Sequence, residues 1–172
     1  VLACMVAATS TLANANLITN GEFDTDTVGW TKTGDATHWG SMGGNFETFD
    51  NSGFSGLFQT VSTDSLFEYT LSFETVASRI SGNTAQFLIG TDIHSIVTTE
   101  SFATSTFSFV GTGSDLNVGF EFATTSGSGV WKLDNVTLTA ERLTGQIPEP
   151  TTLSILALGV LGLASRRAKK QA

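Results

Sequence analysis

The amino-acid sequence predicts an all-β chain, an antiparallel β-sandwich, closed by one short hydrophobic helix at its C-terminus. Three observations carry that reading. Apolar and polar residues alternate with period two in several short runs, and no helical period is visible between Asn16 and Gln146. Gly-, Ser-, Thr- and Asn-rich turn segments separate those runs. Both prolines lie beyond Ile147, so nothing in the body forbids a strand its ladder hydrogen bonds.

The clearest strand is Phe67–Glu74. Phe67, Tyr69, Leu71 and Phe73 share one face; Glu68, Thr70, Ser72 and Glu74 share the other. A strand with one dry and one wet face explains the pattern. Leu116–Phe122 and Thr106–Phe109 repeat it. Ala85–Ile89 is a more continuous apolar run, as a strand buried on both faces would be, and Gly56–Val61 reads as a strand too.

Val130–Thr139 changes phase. Trp131 and Leu133 have one parity, Val136 and Leu138 the other. A β-bulge at Asp134-Asn135 turns both pairs to one face and re-aims Asp134. Turns are expected at Gly40–Gly44, Asp50–Gly56, Ser81–Thr84, Gly111–Ser114 and Ser126–Gly129. Many short strands at this spacing make a sandwich. The body is about the size of one domain with a real core.

Charge is split. The whole chain carries a net charge of −8. Residues 16–146 hold only Lys32, Arg79, Lys132 and Arg142 against fifteen acidic residues. Such a body does not match nucleic acid, whose phosphates need a basic surface. It suits an extracellular protein that meets divalent cations or neutral sugars, or simply one kept soluble by charge.

The two ends read as export signals. Val1–Ala8 is apolar and Ala13-Asn14-Ala15 is an A-x-A pattern, so residues 1–15 are expected to be most of a secretory signal peptide, incomplete at its start. Val1-Leu2-Ala3-Cys4 also resembles a lipobox, though no apolar run precedes it. Cys4 is the sole cysteine; a mature body without it has neither disulfides nor a thiolate nucleophile.

At the other end, Ile147-Pro148-Glu149-Pro150 precedes the uncharged Thr151–Ser165, followed by Arg166, Arg167, Lys169 and Lys170. As a helix, Thr151–Ser165 spans roughly 22 Å at about 1.5 Å per residue. That is short for a lasting transmembrane span, which needs about 20 residues. The basic cluster is expected to hold its end on the cytoplasmic side as a stop-transfer patch.

This ending resembles the PEP-CTERM sorting signal of Gram-negative bacteria. The resemblance implies recognition of Pro148, Glu149 and Pro150 by an exosortase, a transient stay in the inner membrane, cleavage near the motif, and delivery to the cell surface or exopolysaccharide matrix. It divides the chain into a signal peptide (1–15), a sandwich (16–139), a linker (140–146) and a sorting signal (147–172) whose transmembrane helix is 151–165.

The body resembles a second family. Asn20-Gly21-Glu22-Phe23-Asp24, followed by Gly29-Trp30, is similar to the opening strand of galactose-binding-like jelly rolls, several carbohydrate-binding modules among them. Trp131-Lys132-Leu133-Asp134-Asn135-Val136 is similar to their closing strand. The resemblance implies a jelly-roll-like sandwich and a structural calcium ion (Ca2+) near the meeting of first and last strands. Asp24 and Asp134 stand at the matching positions, with Glu22 as a further ligand on the same strand face. Asp24 is a methylene shorter than the family's Glu. Hard carboxylate oxygens suit calcium, which takes about six to eight oxygens. Without a metal, Asp24 caps a turn and Asp134 bonds backbone at the bulge.

Among the aromatics, Trp30 and Trp131 are expected in the core. Trp39, in a Gly-rich loop, is the expected sugar-stacking residue. Catalytic motifs are lacking: His38 and His94 form no zinc pattern, no P-loop or nucleophile elbow occurs, and no two acidic residues are singled out as a glycosidase pair. The sequence therefore predicts a non-catalytic surface or matrix protein. The alternative is a lectin-like module with a defined glycan; an enzyme is the third possibility.

Overall fold

The computed structural model describes residues 15–34, 38–49, 53–78, 82–97, 99–124 and 129–143. The chain divides into two compact units, Val1–Arg142 and Leu143–Ala172. Beyond Leu143 the second unit, with the whole sorting signal and its expected helix, lies outside the described residues, as do residues 1–14.

Among the described residues, ten strands build the first unit: β1 (Thr31–Thr33), β2 (His38–Met42), β3 (Asn45–Phe49), β4 (Ser55–Ser62), β5 (Phe67–Ala77), β6 (Asn83–Ile89), β7 (Asp92–Ile96), β8 (Ala103–Val110), β9 (Asp115–Thr124) and β10 (Val130–Arg142). They form two five-stranded antiparallel sheets, ordered β1-β4-β9-β6-β7 and β2-β3-β10-β5-β8. The expected all-β sandwich is what the chain adopts.

Alternation does the folding. In β5 the residues Tyr69, Leu71, Phe73, Thr75 and Ala77 are buried while their neighbours are half-buried or exposed. Opposite, Leu57, Phe87, Val118, Phe120 and Phe122 fill the inner face of the other sheet. Phe73 lies at the centre, its ring 4.9 Å from Phe120 edge-on and 5.3 Å from Phe87. Tilted and edge-on pairs of this kind favour the ring quadrupoles.

The phase change in β10 is a bulge. Its register against β5 shifts between Asp134 and Thr137, and Asn135 takes a left-handed φ of 51°. Trp131, Leu133, Val136 and Leu138 are all fully buried as a result. Trp30 is buried as well.

The opening segment departs from expectation. Asn16–Asp24 is not a regular strand. Two backbone bonds tie it to β10, Leu17 N–H to Leu138 O (2.8 Å) and Val136 N–H to Gly21 O (3.0 Å). Left-handed φ values at Asn20 (53°) and Phe23 (49°) break any continuous ladder. Gly21 is required there, since a Cβ would lie 2.0 Å from the Val136 carbonyl oxygen. The gain is a plug: Phe23 is fully buried between Trp30 (5.5 Å) and Phe46 (5.8 Å). The Gln59 side chain clamps the segment, accepting from Thr19 N–H (2.7 Å) and donating to Thr19 O (3.0 Å) and Gly29 O (3.2 Å).

The Gly-rich stretch around Trp39 is not a loop. It is strand β2, hairpinned to β3 through Gly43 and Gly44, both with positive φ (63° and 80°). Those two glycines suit a tight turn that other residues resist.

Candidate functional site: the outer face of one sheet

Cross-strand register sets out the wet face of the β1-β4-β9-β6-β7 sheet. One row runs Thr31, Phe58, Gly119, Leu88, Ile93; the next runs Thr33, Gly56, Glu121, Gln86, Ser95. Phe58 is the aromatic on this face. It is out of phase with its strand neighbours Leu57 and Val61, which point into the core.

Glycines give the Phe58 ring its place. A Cβ on Gly119 would lie 2.3 Å from Phe58 Cδ1, and one on Gly56 would lie 2.8 Å from Phe58 Cε2. The ring therefore occupies the space above two backbone positions without side chains, half-exposed on the sheet surface.

Planar polar groups flank it. Gln86 Nε2 donates to Glu121 Oε2 (2.6 Å) in the adjoining row. On the other side Thr60 Oγ1 donates to Asn117 Oδ1 (2.8 Å). An amide, a carboxylate and a second amide, each pre-positioned by a partner, surround an apolar ring. That combination can rest the C–H face of a neutral sugar on the ring while directional groups bind its hydroxyls.

The site residues expected from sequence fall elsewhere. Of Trp39 only the backbone is described; it pairs with Thr48 on the β2-β3 hairpin of the opposite sheet. Between Asp24 and Asp134 the link is electrostatic and small, Asp24 being the weakest of the influences on the Asp134 carboxyl. Glu22, exposed on the irregular opening segment rather than on a strand face, is not among the charges acting on Asp134. Glu74, which the sequence did not single out, lies directly opposite Asp134 on β5.

At this acidic corner burial pushes the Asp134 carboxyl above its ordinary 3.8, the Asn135 N–H opposes that, and Glu74 and Asp24 add to the rise. Asp134 Oδ1 accepts from Asn135 N–H (2.8 Å), and Glu74 Oε2 accepts from Asn135 Nδ2 (2.8 Å). The donors have the oxygen chemistry that calcium takes. Among the described residues no three His, Cys, Asp or Glu side chains converge as a metal cage. Side chains alone do not complete a site, and backbone oxygens would have to supply the remainder.

Comparison with known proteins bears on both units. A family model, the PEP-CTERM protein-sorting motif, matches residues 146–169. The chain carries a PEP-CTERM sorting motif. This motif marks an exported protein sorted by way of the membrane to the cell surface. Among the described residues no helix is long and apolar enough to cross a membrane.

No curated protein matches the chain in sequence. Solved structures match the sandwich. The TmCBM61 module, determined with β-1,4-galactotriose, aligns at a TM-score of 0.60 and 16% identity, over 74% of this chain and 99% of its own. The N-terminal cellulose-binding domain of the Cellulomonas fimi β-1,4-glucanase C aligns at 0.55 and 19%, over 75% and 99%. A Stig cyclase from Fischerella sp. TAU, determined with an indole compound, aligns at 0.52 and 20%, over 74% and 97%. The shared feature is the fold, that of carbohydrate-binding-module jelly rolls, and folds of this type host more than one activity.

Proposed function

We propose that this is a non-catalytic, exosortase-processed protein of the cell surface or matrix, and that its sandwich binds a neutral polysaccharide across the outer face of the β1-β4-β9-β6-β7 sheet. Processing at Pro148-Glu149-Pro150 frees the body from an inner-membrane stage, with Thr151–Ser165 as the transient helix and Arg166–Lys170 as the stop-transfer patch. The observation that carries the binding reading is Phe58, held over Gly119 and Gly56 between the Gln86–Glu121 and Thr60–Asn117 pairs. Phe58 is the stacking ring; Gln86, Glu121 and Asn117 bind hydroxyls. The acidic body adds nothing toward an anionic glycan, so the ligand is uncharged. Likeness to a galactotriose-bound module and to a cellulose-binding domain supports a β-linked chain.

A structural calcium at Asp24 and Asp134 belongs to the same proposal. It would relieve the like-charge contact at that corner and pin the opening segment to β10.

The test is retardation of the protein in gels containing soluble β-linked glucans or galactans. Phe58→Ala is expected to abolish retardation while leaving the folded spectrum unchanged. Retardation that survives Phe58→Ala and is lost in Trp39→Ala moves the site to the β2-β3 hairpin. No retardation by any neutral glycan leaves a purely structural role.

A further inference from the structure

The fold constrains both residues of Asn20-Gly21. Asn20 takes a left-handed φ of 53°, a region in which Asn is one of the few side chains at ease. Gly21 admits nothing larger, because a Cβ there would meet the Val136 carbonyl oxygen. The same pair is the dipeptide in which an asparagine side chain is most open to attack by its own backbone. Without a Cβ on the second residue, that residue's nitrogen can swing onto the amide carbon.

The closed segment holds both reacting groups still. Asn20 Nδ2 donates to Asp26 Oδ1 (2.9 Å), Asp26 O (3.1 Å) and Val28 O (3.2 Å). Asp26 Oδ1 is itself fixed by Val28 N–H (3.0 Å). Asn20 O accepts from Trp30 Nε1 (3.0 Å), and Gly21 O accepts from Val136 N–H (3.0 Å).

We propose that Asn20 is a deamidation site coupled to opening of Asn16–Asp24, and that its reaction is a one-way latch. When the segment opens, Gly21 N attacks Asn20 Cγ. The new N–C bond closes a succinimide ring. The Cγ–Nδ2 bond breaks, and the Gly21 amide proton leaves with the side-chain nitrogen as ammonia. Solvent water then opens the ring at either carbonyl, leaving aspartate or isoaspartate at position 20. One water enters, one ammonia leaves, and nothing is oxidised or reduced.

The product does not fit the closed segment. Asn20 Nδ2 faces three oxygen acceptors, one of them the Asp26 side chain. A carboxylate oxygen in its place brings no proton to any of them. Acceptors set against one another lose their water without gaining a bond, and two carboxylates at this range repel. Isoaspartate adds a backbone carbon as well, between the two ties to β10 at Leu17 and Gly21. Phe23 and Trp30, both buried, follow position 20 and lose their seat when the segment cannot reclose. A passing fluctuation thus becomes a lasting one. The latch is independent of glycan binding.

The experiment is incubation of the full chain in mildly alkaline buffer, folded and in urea, with peptide mapping by mass spectrometry to time the conversion of Asn20. Folded parent is expected to convert about tenfold or more slowly than the chain in urea, because only the open fraction reacts. Asp26→Ala removes one clamp, and is expected to speed conversion in the folded chain while leaving the rate in urea unchanged. Asn20→Asp stands for the product. Its Leu17 and Val136 amides are expected to exchange hydrogen about tenfold faster than the parent's. Adding Asp26→Asn to that variant restores a donor between the two side chains, and is expected to recover part of the protection. Equal rates folded and in urea overturn the proposal. So does a folded rate that Asp26→Ala leaves unchanged, an Asn20→Asp chain as protected as the parent, or a double variant no better protected than Asn20→Asp.

Discussion

The ring of Phe58 fills the space that a side chain at Gly119 would need, 2.3 Å from where its Cβ would stand. Strand register puts these two residues directly opposite each other on the outer face of the sheet. Gly119 is therefore part of the proposed glycan site although it has no group to offer a ligand. Gly119→Val is expected to lift the Phe58 ring off the sheet and lower glycan affinity about tenfold or more, near 1.4 kcal/mol. Titration calorimetry with the best-retarding glycan measures this. Undiminished affinity in Gly119→Val would mean the ring is not the platform.

The acidic corner has a pH signature with a definite sign. Asp134 has its carboxyl raised above 3.8 in the fold by burial first, with Glu74 and Asp24 adding. The folded chain then holds that proton more tightly than the unfolded one. Its contribution to stability is complete below 3.8 and is lost as pH rises through the raised folded value. Asp134→Asn removes the charge and keeps an acceptor for Asn135 N–H. In metal-free buffer this variant is expected to melt above the parent at neutral pH. Added calcium is expected to stabilise the parent and not the variant. Equal melting temperatures with and without calcium in the parent would dismiss the ion.

Phe23 tests what the irregular opening segment is for. It is fully buried against Trp30 and Phe46, yet it sits on a stretch with no ladder of its own. Phe23→Ala is expected to cost about 3–5 kcal/mol, the usual range for emptying an aromatic site in a core. Urea unfolding followed by tryptophan fluorescence reads it. A loss below about 1 kcal/mol would mean the segment packs on the sandwich without helping to close it.

These residues also show what a sequence displays and what it hides. The β10 bulge was legible because Trp131, Leu133, Val136 and Leu138 lie close together, and only an added residue brings both parities to one face. β5 and β9 were legible for the same local reason. Phe58 was not, since its role depends on Gly119, Gln86 and Glu121, brought beside it by strand pairing rather than by sequence. An aromatic out of phase with Leu57 and Val61 was the one local trace of it. Asn16–Asp24 reads as a strand, but left-handed backbone at Asn20 and Phe23 overrides its alternation. The β2-β3 hairpin was hidden by its glycines, which mark a turn without showing that strands flank it.

The sorting motif admits a test that needs no ligand. By sequence alone, Pro148 and Pro150 each fix φ and bias the preceding residue toward extended backbone, so Glu149 is expected outside any helix. Glu149→Ala keeps both prolines and removes the carboxylate. Intact mass of the membrane and surface fractions is the measurement. The parent, in cells with an active exosortase, is expected to lose the residues after about the Pro-Glu-Pro motif, and Glu149→Ala is expected to retain them. A C-terminus that is complete in the parent would make the segment a plain anchor. Cleavage that proceeds equally in the variant would assign recognition to the prolines and the apolar helix instead.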